Sequence, residues 1–261
     1  MLLLNDAAQK PQRRMPALPL FLAEPVRGVV SHVAFPFTAP MLAAAPRGDG
    51  HGVLVLPGLL GDDLSTNLMR RFLSCRGYDA HGWGLGRNIG PTARVVEALP
   101  RKIEEIAERN GGTVTVIGWS LGGIFAREAA RQRPELVRDV ITLASPYGMK
   151  DTDKSRADAA FQRYSRRHVP AGSGDRGRLR EPIPVPSTSL YSRTDGIVDW
   201  RACVEPSGTH HENVAVRASH LGIGVDPAAL WVIADRLAQT EGRWAPFRAP
   251  LALRPFYPEP V

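Results

Sequence analysis

The chain has 261 residues, 43% of them hydrophobic, enough for one sizeable core, which argues against a disordered chain or a string of small domains. Its net charge of +7 comes from 33 basic residues, only four of them lysine, against 26 acids; the arginines are spread over every segment without an aromatic-interleaved patch or helix-turn-helix pattern, so no nucleic-acid partner is expected. Two cysteines, Cys75 and Cys203, exclude a disulfide framework and show no metal-ligand spacing, so free thiols and no metal are expected.

Residues 1–48 are proline-rich without clear periodicity and read as a segment wrapping the core, with Val26 to Ala34 a short helix or an edge strand. Arg13-Arg14 precedes an apolar stretch, Met15 to Ala23, but Pro16 and Pro19 interrupt it and Ala23-Glu24-Pro25 is a poor cleavage site. A leader-free, cytoplasmic chain is the expectation. No window holds 18 uninterrupted apolar residues, so no integral membrane segment is expected.

Residues 49–240 read as the core. Val53 to Leu56 is a short apolar run suited to a buried parallel strand. It ends in the loop Pro57-Gly58-Leu59-Leu60-Gly61, where backbone N–H groups can approach a ligand closely. A helix over Ser65 to Arg76, a short strand over Asp79 to Trp83, a loop over Gly84 to Pro91 and a helix over Ala93 to Arg109 capped by Thr92 follow, the last expected to kink at Pro100. Val114 to Trp119 is the next strand. It runs through Gly118-Trp119-Ser120-Leu121-Gly122 directly into a helical stretch, Ile124 to Arg131. Strand, sharp turn and helix with serine at the apex is the arrangement that exposes a nucleophilic hydroxyl. In a glycine-rich chain the pentapeptide also arises by chance, and a serine that only caps the helix is the competing reading.

Arg138 to Ala144 is a further strand. From Tyr147 to Pro186 aliphatic residues become scarce and nine basic side chains face five acids; we read a cap insertion at about 147–186, with a flexible loop at Gly172 to Gly177. Strands at Thr188 to Tyr191 and Asn213 to Arg217 complete the sheet, and Pro227 to Leu237 is a last helix with Asp226 as N-cap. Residues 241–261 read as a tail packed on the core. The alternation predicts a mostly parallel sheet covered by helices on both faces.

Functional residues in such a sheet gather at the C-terminal strand ends. His51 and the pair His210-His211 precede strands, and His32 and His168 lie outside the sheet. His81 is near a strand end and is expected to line the pocket with Leu60 and Trp119. His220 directly follows the last strand and is the candidate base. The acid comes from the loop after the penultimate strand: Asp195, nearest the strand end and leading an Asp-Gly turn, is preferred to Asp199, which suits a cap. Asp151 and Asp153 are outside choices.

Ser120, Asp195 and His220 thus occur in the order nucleophile, acid, base. On Gly118-Trp119-Ser120-Leu121-Gly122, Asp195-Gly196-Ile197-Val198, Ser219-His220-Leu221-Gly222 and the Pro57-Gly58 loop, residues 50–240 resemble the α/β-hydrolases, notably their small bacterial lipases and esterases. The resemblance implies the α/β-hydrolase fold and an acyl-enzyme on Ser120, with His220 as base and Asp195 orienting it, and needs no cofactor. It further implies an oxyanion hole of two backbone N–H groups, that of Leu121 and that of Leu59, with Leu60 as the alternative. The expected substrate is a small-molecule carboxylic ester of small to medium acyl chain. An acyltransferase with the same triad and a non-catalytic binding protein are the competing functions. Two departures stand out. Pro57 replaces the histidine that often braces the family's loop, and the family's opening strands are missing unless residues 26–35 supply one.

Overall fold

The computed structural model of the chain describes residues 15–150, 153–165, 176–206 and 208–259. Its strands are β1 (Gly52–Leu56), β2 (Asp79–Gly82), β3 (Val114–Trp119), β4 (Val137–Leu143), β5 (Ser187–Ser192) and β6 (His211–Val216). They form one six-stranded sheet in the order β2-β1-β3-β4-β5-β6, every pairing parallel. Whereas β2, at the sheet edge, is polar and half-buried, the central strands β1 and β3 were legible as apolar runs because their residues are buried on both faces. Alternation then divides them: Val53 and Val55 of β1 pack into a core that includes the helices α3 (Asn67–Cys75) and α8 (Pro227–Leu237), while Leu54 and Leu56 pack against α4 (Ala93–Asn110) and α5 (Leu121–Gln132) on the opposite face.

The helix ends follow local chemistry. Thr92 accepts a hydrogen bond from the Val95 N–H (3.3 Å) at the start of α4, and Asp226 accepts one from the Ala229 N–H (2.9 Å) at the start of α8, where Pro227 holds the first position. α4 continues through Pro100, held by the buried side chains of Leu99, Ile103 and Ile106.

Of the two readings offered for Val26 to Ala34, helix or edge strand, the helix is the one formed, and it is longer than expected. Leu18–Ala34 is a 17-residue helix, α1, followed by a 3-10 turn over Phe35–Thr38 and the short α2 (Ala39–Ala43). Residues 26–35 therefore supply no strand, and no strand precedes β1 among the described residues. α1 is inside out. Glu24 and Gly28 are its buried residues and Arg27 and Ser31 are half-buried beside them, whereas Leu18, Leu22, Val26, Val29, Val30 and Val33 are exposed. The run Leu18–Ala43 is also long and apolar enough, by length and composition, to cross a membrane, where the sequence reading expected no such segment. Here its polar face is engaged by the protein.

Between β4 and β5 lie α6 (Asp158–Ser165) and α7 (Arg176–Arg180). Asp151, His168 and the part of the Gly172 to Gly177 loop before residue 176 lie outside the described residues. The tail is tied to the core by the Phe247 N–H donating to Glu212 (2.7 Å) and the Tyr257 hydroxyl donating to the Ala228 carbonyl (3.1 Å). Cys75 is exposed and Cys203 buried, both free.

At the N-terminal edge of the sheet, Asp139 of β4 accepts a hydrogen bond from Thr115 (3.0 Å), but its other carboxylate oxygen is buried without a partner. Burial pushes this carboxyl up to about 6 from an ordinary 3.8. A carboxyl that ionises less readily in the folded chain costs stability as pH rises through that window, and the cost is constant above it. Asp139→Asn is expected to raise the unfolding free energy at neutral pH by roughly 1–2 kcal/mol. In urea titrations the gain should vanish near pH 4; an equal gain at both pH values would refute this origin.

Candidate active site

The site is built where β3 turns into α5. Ser120, at the turn, has φ 52° and ψ −119°, a conformation that residues with a side chain rarely adopt and that the surrounding structure must impose. Three glycines make the turn possible by leaving space. A Cβ on Gly118 would fall on the Gly122 carbonyl and the Gly123 backbone, one on Gly122 would lie 2.5 Å from the Leu56 carbonyl, and one on Gly123 would meet the Ser145 hydroxyl. The turn is anchored by the Ser120 N–H, which donates to the Leu143 carbonyl (2.8 Å). The Ser120 side chain makes no capping hydrogen bond to α5, so the reading of a mere helix cap fails. Among the described residues its hydroxyl has no hydrogen-bond partner, His220 included.

The loops after β5 and β6 bring Asp195 and His220 together. His220 Nδ1 lies 2.7 Å from Asp195 Oδ2, and both side chains are almost completely buried. The other carboxylate oxygen, Oδ1, accepts from the N–H groups of Ile197 (2.7 Å) and Val198 (2.9 Å), which fixes the carboxylate plane. A carboxylate on Nδ1 places the proton there and leaves Nε2 as the basic nitrogen. Burial alone would lower the pKa of His220; the charge of Asp195, its hydrogen bond and the charge of Glu24 outweigh burial and raise it above the ordinary histidine value. Asp199 does not reach the imidazole: it caps the following 3-10 turn by accepting from the Arg201 N–H (2.8 Å). Asp153 is likewise turned to its own backbone, accepting from the Lys150 N–H (2.9 Å).

The loop after β1 lies beside the serine, with a Cβ on Gly58 only 3.3 Å from that of Ser120. Its brace is Asn88, which the sequence reading missed. The fully buried Asn88 side chain donates to the Pro57 carbonyl (2.8 Å), and its backbone accepts from the Leu60 N–H (2.7 Å) and donates to the Gly61 carbonyl (2.8 Å). Asn88 therefore supplies from the next loop the support absent at Pro57. It also separates the two donor candidates. The Leu60 N–H is consumed, whereas those of Leu59 and Leu121 have no acceptor among the described residues.

A cavity of about 440 Å³ opens at Ser120, walled by Leu59 and Leu121, by Val95, Leu99 and Phe125 of the helices beneath, and by Met149, Phe161 and Leu179 of the segment between β4 and β5. Its size and mostly apolar lining suit a small organic ligand. The three residues expected to line it do not. Leu60 sits at φ 64° with its side chain partly in solvent. Trp119 donates its indole N–H to the His220 carbonyl (3.1 Å) and packs against that ring, bracing the loop of His220. His81 shares one strand face with Asp79 and lies 2.8 Å from its carboxylate. A position at a strand end does not tell which way a side chain points. Among the described residues no group of three or more potential ligands could hold a metal ion.

No protein-family model matches the chain. Among curated proteins it is 31% identical over 120 residues to the pimeloyl-(acyl-carrier protein) methyl ester esterase of Nitrosomonas europaea, over 40% of this chain and 45% of that protein. The chain thus matches less than half the length of that relative. Among solved structures, Aspergillus fumigatus lipase B aligns with a TM-score of 0.56 at 18% identity, covering 76% of this chain and 55% of the lipase. The mature Bacillus licheniformis lipase BlEst2 aligns at 0.53 and 17% identity over 75% of this chain and 95% of its own. A thioesterase domain from the curacin biosynthetic pathway aligns at 0.50 and 15% identity over 73% and 92%.

The crowding around the turn predicts that Gly118→Ala, with backbone in its way, lowers the unfolding free energy by about 2–3 kcal/mol. Urea denaturation checks this, and a loss of under half a kcal/mol would mean that the turn has room to spare.

Proposed function

We propose that this chain, which has the α/β-hydrolase fold, is a serine hydrolase of carboxylic esters that works through an acyl-enzyme on Ser120. One observation carries the reading: an uncapped serine held in a strained turn, at a cavity mouth, in a sheet whose neighbouring strand ends present a buried His220–Asp195 pair. His220 Nε2 takes the Ser120 proton as the hydroxyl oxygen attacks the acyl carbon, and Asp195 stabilises the imidazolium. The oxyanion receives the N–H groups of Leu59 and Leu121. His220 passes the proton to the departing alcohol; water, deprotonated by His220, then attacks the acyl carbon, and His220 returns that proton to the Ser120 oxygen as the acid leaves.

The cavity walls support an apolar acyl group of small to medium length. Basic residues near it do not favour an anionic substrate, because Arg178 pairs with Glu128 (2.9 Å), Arg156 donates to the Pro16 carbonyl (3.0 Å), and Arg127 and Arg131 donate to the Glu181 carbonyl. They are occupied in holding the segment between β4 and β5 on α5 and α1.

A fluorophosphonate should label Ser120 alone in peptide mapping, and nitrophenyl esters of increasing acyl length should show a maximum set by the cavity. Absence of both label and turnover in folded protein would remove the hydrolase reading. Asp195→Asn is expected to lower kcat about 10⁴-fold by presenting the wrong imidazole tautomer, with Asp199→Asn within about threefold of the parent, since a lost cap affects stability rather than chemistry; equal losses would overturn the assignment of the acid. The acid limb of kcat/KM should have its midpoint above the ordinary histidine value, because His220 must lose its proton to act.

A further inference from the structure

Glu24 has no place in this mechanism, yet it is among the most deeply buried carboxylates in the fold, with 1% of its surface exposed. It sits on the inner face of α1 and accepts three backbone hydrogen bonds. Oε1 takes the N–H of Gly196 (2.8 Å) and that of His220 (3.0 Å), and Oε2 takes the N–H of Leu221 (3.0 Å). Gly196 follows the candidate acid, His220 is the candidate base, and Leu221 follows it. One carboxylate therefore holds both loops.

The surroundings are shaped for this contact. Glycines let α1 come close: a Cβ on Gly196 would lie 2.5 Å from the Leu20 carbonyl, one on Gly28 2.9 Å from the Leu221 Cβ, and one on Gly222 2.5 Å from the Ser31 hydroxyl. None of these three has the positive φ that would otherwise call for glycine. Arg27, one turn along, lies 3.6 Å from Glu24 and donates to the Thr194 carbonyl (2.7 Å) and hydroxyl (3.1 Å), so α1 also grips the chain just before Asp195. Burying a carboxylate is costly unless it is well bonded, and an apolar side chain would fill the space more cheaply. What an apolar side chain cannot do is fix two separate loops in register through charge-assisted bonds to their backbones.

We propose that Glu24 is a positioning residue for the triad: from α1 its carboxylate ties the backbone after Asp195 to the backbone at His220, setting how the imidazole meets Asp195 and Ser120. The inference rests on the proposed hydrolase reading. The groups facing His220 are Asp195 from the loop after β5, Glu24 with Arg27 behind it from α1, and the uncharged Trp119 ring from β3. Glu24 thus adds a second negative charge that favours the imidazolium.

The experiment compares kcat, KM and the pH profile of kcat/KM for Glu24→Gln, Glu24→Asp and Gly28→Ala, with active sites counted by fluorophosphonate titration and Ser120→Ala run in parallel. Glu24→Gln keeps the shape but loses the charge and sets an amide donor against a backbone N–H. It should lower kcat per titrated site about 10- to 100-fold, with KM within about threefold, the scale expected for a small misplacement of a catalytic group. The acid limb should move to lower pH. Glu24→Asp keeps the charge but not the reach, so kcat should fall while the limb moves less. Gly28→Ala, which leaves the carboxylate intact and favours helix, should lower kcat by pushing α1 off Leu221, and decides the matter if the Glu24 variants do not fold. Unchanged kcat per site and an unmoved limb, with stability alone reduced, would overturn the inference and leave Glu24 a structural residue. Activity surviving in Ser120→Ala would instead sink the hydrolase reading itself.

Discussion

The backbone at Ser120 is the constraint on which the site depends. A residue with a side chain is held at φ 52° between a strand and a helix, and that strain persists only because neighbours allow no relaxation. Gly118, Gly122 and Gly123 let β1, β3 and α5 close in until no space remains for a β-carbon, while the Leu143 carbonyl holds the serine N–H from the adjacent strand. The core thus bears the cost of exposing one hydroxyl. Its sequence signature is strong because it is made of absences: at these positions only hydrogen fits.

Around that turn the parallel sheet does the assembling. Strands aligned in one direction deliver their following loops to one edge, so β1, β3, β5 and β6 bring Leu59, Ser120, Asp195 and His220 to a common region from distant parts of the chain. Bonds between loops then refine what the sheet approximates. Asn88 holds the loop after β1, Trp119 holds the carbonyl of His220, and the Ser192 hydroxyl donates to the Ala218 carbonyl (2.6 Å) between the loops of Asp195 and His220.

Local chemistry in the sequence reported the turn at Ser120, the caps Thr92 and Asp226, and that Asp195 rather than Asp199 would lie against His220, because each depends on its neighbours in the chain. Side-chain direction was less legible. Leu60, Trp119 and His81 sit near strand ends yet are not among the residues that line the cavity, since position along the chain does not aim a side chain. Asn88 was hidden for another reason: its role exists only through Pro57, which is far away in the chain. The Asp195-Gly196 pair suggested a tight turn, but what Gly196 accommodates is the backbone of α1 at Leu20.

α1 was the hardest element to read, because pattern methods assume that apolar residues point inward. Here Glu24, Arg27 and Ser31 face the protein and the valines face out. All six strands of the sheet lie from residue 52 onward, with helices on both faces, among the described residues. A domain drawn from that sheet would include Ser120, Asp195 and His220 but omit Glu24, the side chain that joins the loops of the last two. The boundary of the sheet and the boundary of the loop-bracing contacts therefore differ, by about one long helix.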